Sequence, residues 1–233
     1  HDLVRAFNIP IYEKKGYEAD DVIGTIVKQC HSREGGNPEV YIVTGDMDTL
    51  QLIQPGVKVY TLRKGISDVV IYDAEGVKEK FGFGPEMMVD YKALRGDPSD
   101  NIPGVPGVGE KTATELIMKV GGIEEIYEKL RNKKLEIIGF KSGVIKKLEE
   151  GLESAKMSRE LATIDCDVPD LEFNLADCEL KNFDREKTMK LFQELGFVSL
   201  LKRIPGLDYE EETVQPTAVK RKKADELNFV EVK

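Results

Sequence analysis

Seven carboxylates stand in three short runs of this chain: Glu18, Asp20 and Asp21, then Asp46 and Asp48, then Asp97 and Asp100. Acids packed this closely repel one another and remain ionised together only when divalent cations sit among them. Oxygen-only ligands select hard cations, Mg²⁺ or Mn²⁺, and the lack of suitable His or Cys partners disfavours zinc. Two such ions about 4 Å apart clamp a phosphodiester in line, one activating water and the other stabilising the departing oxygen. Seven acids suffice for two ions, and none needs to act as the nucleophile.

Each run also has a purely structural explanation. Asp46 and Asp48 are two residues apart at a predicted strand end, where their side chains would point the same way, but an Asx turn explains the pair equally well. Glu18, Asp20 and Asp21 open a predicted helix, whose dipole favours acids there. Asp97 reads as an N-cap, with Pro98 as the first helical residue and Asp100 as a box-like partner. Three runs on three elements, each near an end, are harder to explain by capping alone.

The segment Ile102–Thr112 (IPGVPGVGEKT) carries glycines at 104, 107 and 109. Glycine adopts positive φ and lets a phosphate approach the backbone, and free N–H groups opening a helix suit an anion. A Walker A loop is excluded because Glu110 separates Gly109 from Lys111 and Thr112. With helices on both sides, the segment reads as a helix-hairpin-helix element that holds a DNA backbone without reading bases.

The elements that must position these groups follow from periodicity. Ile23, Ile26, Val27 and Cys30 make an amphipathic stripe, which places Cys30 in the core. Residues 31–38 (HSREGGNP) read as a polar turn, with His31 at a helix end. Glu39–Thr44 is a short buried strand delivering Asp46 and Asp48 beyond its end, where α/β sheets collect ligands. Val57–Leu62 and Asp68–Tyr72 flank a turn at Arg63–Ile66 and suggest a hairpin or mixed sheet edge. Residues 1–7 read as helix or loop. From Ala74 onward the pattern is helical. Ala113, Leu116, Ile117 and Val120 form one stripe, and Ile123, Ile126, Tyr127 and Leu130 another after Gly121-Gly122. Further helices are expected over Gly143–Ala162 and Arg185–Leu195. From Gly206 the core signal fades into a linker carrying the basic run Lys220–Lys223.

Composition narrows the class. The chain has 233 residues, 40% hydrophobic and 33% charged, which fits a soluble globular protein. No apolar run approaches the roughly 18 residues that span a bilayer, and no signal peptide is visible. Cys30, Cys166 and Cys178 form no CxxC pair, so a reducing cytoplasm is expected rather than a disulfide scaffold. The net charge of −9 taken alone opposes a nucleic-acid partner, yet the seven clustered acids supply −7 of it. From Lys111 to Arg159, eleven Lys or Arg face eight Glu, a local balance of +3.

Tyr17–Val22, Thr44–Asp48 and the long segment Gly96–Ala113 resemble, in order and spacing, the 5′-nuclease domain of bacterial DNA polymerase I, a branch of the flap endonuclease family. The resemblance runs from about His1 to Pro205. It implies a PIN-like α/β fold with a mixed or parallel sheet and a helix-three-turn-helix subdomain. It also implies Mg²⁺-dependent cleavage of 5′ flaps and 5′ ends of duplex DNA, including RNA primers, in replication and repair. By matching position, Glu18, Asp20, Asp21, Asp46, Asp48, Asp97 and Asp100 would hold metal. Gly104, Val105, Gly107, Val108, Gly109, Lys111 and Thr112 would hold the duplex, in the family often with a K⁺ ion bridging to phosphate.

The implied organisation is a PIN-like core over residues 1–84, a helix-hairpin-helix subdomain with covering helices over 85–205, and a linker over 206–233 towards an absent polymerase portion. A monomer in the bacterial cytoplasm, associated with the nucleoid, is expected. The family's N-terminal segment, with two further metal acids, a central strand and a basic arch, has no counterpart in the sequence. The chain thus reads as a fragment, and apolar surface is expected on the remaining strands. A duplex-binding module with an incomplete metal site is the alternative, and a PIN-type phosphohydrolase acting on RNA a weaker third.

Overall fold

The computed structural model describes residues 1–31, 38–62, 69–179 and 181–206. The expected turns at 31–38 and 63–66 therefore lie largely or wholly outside the described residues, as does the expected linker from residue 207 with its basic run. The chain forms two compact units, His1–Ile11 with Cys178–Lys233, and Tyr12–Asp177.

The first helix of the larger unit is α2 (Ala19–His31), which follows α1 (Asp2–Ala6) of the smaller unit in the chain. Val27 and Cys30 of α2 are each 3% exposed, as the apolar stripe requires, and Ile23 packs more loosely on the same core. The strands β1 (Val40–Thr44), β2 (Val57–Leu62) and β3 (Val69–Tyr72) form one sheet in that order. β1 and β2 are parallel, with Ile42 opposite Val59, and β2 and β3 are antiparallel, with Tyr60 opposite Ile71. Their β-branched residues alternate in the period-2 manner of strands. Ile42, Val57 and Val59 face the core, while Tyr41, Val43 and Ile71 are 46%, 65% and 51% exposed. The sheet therefore presents an apolar outer face.

A second core is helical. It is built from α3 (Ala74–Phe81), α4 (Met88–Arg95), α5 (Glu110–Val120), α6 (Ile123–Arg131), α7 (Lys134–Ile137), α8 (Ser142–Glu150) and α9 (Leu152–Ala162). Ala113, Leu116, Ile117 and Val120 of α5 and Ile123, Ile126 and Tyr127 of α6 are buried, as their spacing predicts. The single helix expected over 143–162 is instead two, separated at Gly151. A Cβ there would lie 2.7 Å from the Val105 side chain and 2.9 Å from the Lys147 carbonyl oxygen, so the residue at the break has room for glycine only. Among the described residues no helix is long and apolar enough to cross a membrane.

The smaller unit packs α1 (Asp2–Ala6), α10 (Arg185–Glu194) and a 3₁₀ turn at Val198–Arg203 around Phe192, Leu201 and Ile204. Phe7 meets Phe183 edge-on at 4.8 Å between ring centroids.

Candidate metal centre and nucleic-acid interface

The structure brings carboxylates from the second and third runs together. Asp48, Asp97 and Asp100 each place an oxygen within 4.8 Å of the others. Asp46 and Asp48 are not strand residues with parallel side chains. The chain turns after β1 into a 3₁₀ helix (Met47–Leu52), and Asp46 caps it by accepting the Asp48 N–H at 3.0 Å. This is the Asx geometry, and it leaves the Asp48 side chain free to face the third run. Asp97 caps the 3₁₀ turn Pro98–Asp100 as expected, accepting the Ser99 N–H at 3.0 Å. Asn101 then takes a left-handed conformation, φ 55°, and closes an Asp97–Ile102 bridge that presents Asp100 on the same side.

In the first run, Asp21 accepts the Glu18 N–H at 3.1 Å and the Asp165 N–H at 2.9 Å. It caps α2 and pins the 164–168 segment to it. Asp20 is half-buried and feels the second run. Burial, then the charges of Asp46, Asp48, Glu18 and Asp21, push its carboxyl up from 3.8 to about 6. Burial also raises the Asp48 carboxyl, against the pull of Lys92. Asp97 is held low: burial opposes this, but the Ser99 hydrogen bonds and Lys92 outweigh it.

Lys92 of α4 is the residue that sequence reasoning missed. It is 7% exposed, and its Nζ lies 2.6 Å from Asp100 and 3.2 Å from Asp97 while also bonding Asp48. Burial would lower the ammonium, but its bonds to Asp100 and Asp48 raise it well above the usual lysine range. Its signal in the sequence was a lysine within the apolar stretch Tyr91–Leu94, since buried lysines are rare unless paired. A cavity of about 650 Å³ is lined by Val27, His31, Pro55 and Cys166, and it touches none of the seven acids.

The fit of these groups to a hard divalent cation rests on the donor set: carboxylate oxygens, no sulfur or imidazole in the cluster, and a cation already drawn into it. Asp48, Asp97 and Asp100 would hold one ion. Asp20, crowded by the charges of Asp46, Asp48, Glu18 and Asp21, would also be relieved by a cation nearby.

The hairpin beside this centre is built from buried anchors. Val105 and Val108 are 2% and 3% exposed. The Val105 N–H donates to the Leu94 carbonyl at 2.9 Å, and the Val108 N–H to the Val105 carbonyl. Gly104 has φ +65°, and a Cβ there would meet Gly96 Cα at 2.6 Å. Its N–H donates to Ser158 Oγ at 2.9 Å, and its carbonyl accepts from Ser154 Oγ at 2.6 Å. Gly104, Val105 and Val108 thus shape the hairpin from within. Gly107, Gly109 and Lys111 are exposed, and no acceptor among the described residues meets the N–H groups of Gly107 or Gly109. The N–H groups of Glu110, Lys111 and Thr112 open α5 and lack helical partners by construction. Lys147 donates to the Gly107 carbonyl at 2.8 Å.

Comparison with known proteins agrees with this anatomy. Residues 1–82 match the 5′-3′ exonuclease N-terminal resolvase-like domain, and residues 83–186 match the 5′-3′ exonuclease C-terminal SAM fold. DNA polymerase I of Bacillus caldotenax is 44% identical over 211 residues, 91% of this chain and 23% of that protein, so the chain spans about a quarter of its relative. Among solved structures, T5 5′-exonuclease with bound zinc ions superposes with a TM-score of 0.57 at 24% identity, covering 68% of this chain and 54% of that one. The catalytic core of Rad2 in complex with DNA substrate gives 0.55 at 20% identity, covering 83% and 62%. These two likenesses establish the fold. With both domains present in sequence order, the chain belongs to the 5′-3′ exonuclease family.

Proposed function

We propose that this chain is the nuclease region of a DNA polymerase I-type protein and hydrolyses phosphodiesters at 5′ flaps and 5′ ends of duplex DNA. The observation that carries this is the meeting of Asp48, Asp97 and Asp100 beside a hairpin whose outward N–H groups are free. Mg²⁺ or Mn²⁺, bound by these acids and by Asp20 and Asp46, would activate water and stabilise the leaving oxygen. Glu18 and Asp21 would support the site from the start of α2. The N–H groups of Gly107, Gly109, Lys111 and Thr112 would take the phosphates of the duplex, positioning it without reading its sequence. A K⁺ ion at the hairpin would add positive charge where the phosphate backbone lies. Among the described residues the three cysteines form no disulfide, which accords with a bacterial cytoplasm.

The test is cleavage of an end-labelled 5′-flap duplex with Mg²⁺ and with EDTA. Cutting near the flap junction only with Mg²⁺ is expected, and no cutting under either condition defeats the catalytic reading. One observation favours a second reading, a duplex-binding module that does not cut. The hairpin is complete without ions, while Lys92 already engages the three central acids. Binding of the flap without cleavage at any Mg²⁺ concentration would establish that reading instead.

A further inference from the structure

Three carboxylates from different turns converge on a single ammonium. Asp48 follows β1, Asp97 caps the turn after α4, and Asp100 ends that turn. Lys92 reaches them from inside α4, with a side chain only 9% exposed. Against these three negative charges, one lysine leaves the cluster short of positive charge. Its position is nevertheless central, since Nζ contacts all three acids, and their oxygens lie within 4.8 Å of one another. A Mg²⁺ ion binds carboxylate oxygens at roughly 2.0–2.1 Å. An ion among these oxygens would fall almost on the ammonium, and two cations so close repel strongly in a half-buried site. The lysine stem, with its flexible four-carbon chain, allows the head to withdraw without moving α4.

We propose that Lys92 is a built-in counter-cation: it holds Asp48, Asp97 and Asp100 together in the metal-free protein and must yield its place when a divalent ion enters. The proposal rests on the metal reading of these acids given above. It explains how three carboxylates stay gathered without an ion, and it makes Lys92 a competitor of the metal rather than a ligand. Lys92 is thus a positioning residue that sets how tightly the ion is held.

The test titrates Ca²⁺, a hard oxygen-seeking cation, into the 233-residue chain by calorimetry, comparing wild type with Lys92→Gln and Lys92→Arg. Lys92→Gln should bind Ca²⁺ about tenfold tighter, roughly 1.4 kcal/mol, and melt lower than wild type in EDTA with the deficit recovered by Ca²⁺. Lys92→Arg, which keeps the charge, should bind no tighter than wild type. Amine acylation of the wild-type chain, read by peptide mass spectrometry, needs no variant to fold. Lys92 should be protected in EDTA and become reactive when Ca²⁺ is added. Unchanged protection, or equal Ca²⁺ affinity in wild type and Lys92→Gln, overturns the role of Lys92 while leaving the metal reading intact. Absence of Ca²⁺ binding in all three removes that reading and this proposal together.

Discussion

The acidic centre and the hairpin lie in the same unit but are held together by opposite means. The hairpin is closed by neutral hydrogen bonds, from Val105 to Leu94 and between Gly104 and the serines of α9, over two buried valines. Such bonds do not depend on salt, pH or a bound ion. In the acidic centre the turns are set by bonds from backbone N–H groups, but the carboxylates themselves are gathered by charge, with one lysine holding three of them and Asp20 pressed toward neutrality beside it. A binding element can be finished at folding, whereas a site for cations must stay under electrostatic tension until the cation arrives.

Substitutions should separate the two regions. Asp48→Ala is expected to lower flap cleavage by on the order of 10³-fold, the scale seen when charge stabilisation is removed at a reacting centre. Duplex affinity, read by fluorescence anisotropy, should stay within about twofold of wild type. Retained cleavage would remove Asp48 from the metal site. Gly107→Val attacks the other region. The residue has φ +80°, and a Cβ would lie 2.9 Å from Lys147 Cε, so strain falls on the outward turn. Duplex affinity should drop by about tenfold or more, in line with roughly 1–3 kcal/mol of local strain, while the cutting rate at saturating DNA holds. Unchanged affinity would count against the hairpin as the grip.

Ser158→Ala tests whether the hairpin depends on neutral bonds. Ser158 is fully buried, and its loss leaves the Gly104 N–H without a partner, a cost of about 1–3 kcal/mol in urea unfolding. The loss should be the same with and without Mg²⁺. Dependence on Mg²⁺ would mean the two regions are not separate.

The smallest effect concerns Asp20. Its carboxyl is raised to about 6 in the fold, so its contribution to stability is present below its ordinary value of 3.8 and lost as pH rises through 6. Asn at this position is neutral throughout. In EDTA, Asp20→Asn should therefore melt slightly above wild type at about pH 7.5, with the gap closing toward about pH 4. A variant melting no higher at neutral pH would show that Asp20 is not under this pressure.

Much of this was legible because it rests on local pattern. The stripe ending at Cys30, the strands at 40–44 and 57–62 and the paired stripes across Gly121-Gly122 all became the elements their periodicity implies. The acid runs were legible as runs. How they meet was not, because Asp46 and Asp48 part company through a 3₁₀ turn that alternation along a strand does not foresee. Lys92 was hidden for a different reason. Its partners lie five, eight and forty-four residues away, and only the last of these separations crosses the fold. The break falls at Gly151, a poor helix former, whereas its closeness to Val105, which would meet a Cβ at 2.7 Å, is a tertiary fact that propensity cannot carry.

Helix α4 has a metrological consequence. Lys92 sends its side chain into the acids, its own carbonyl accepts the Gly96 N–H at 2.8 Å, and Leu94 between them holds Val105. The span from the acids to the grip, Lys92 to Leu94, is thus two residues of one helix, about 3 Å of rise. It behaves as a gauge block of fixed length. One residue inserted between Lys92 and Leu94 would lengthen it by about 1.5 Å and turn the grip by about 100°. The length of the released DNA product would register that change directly.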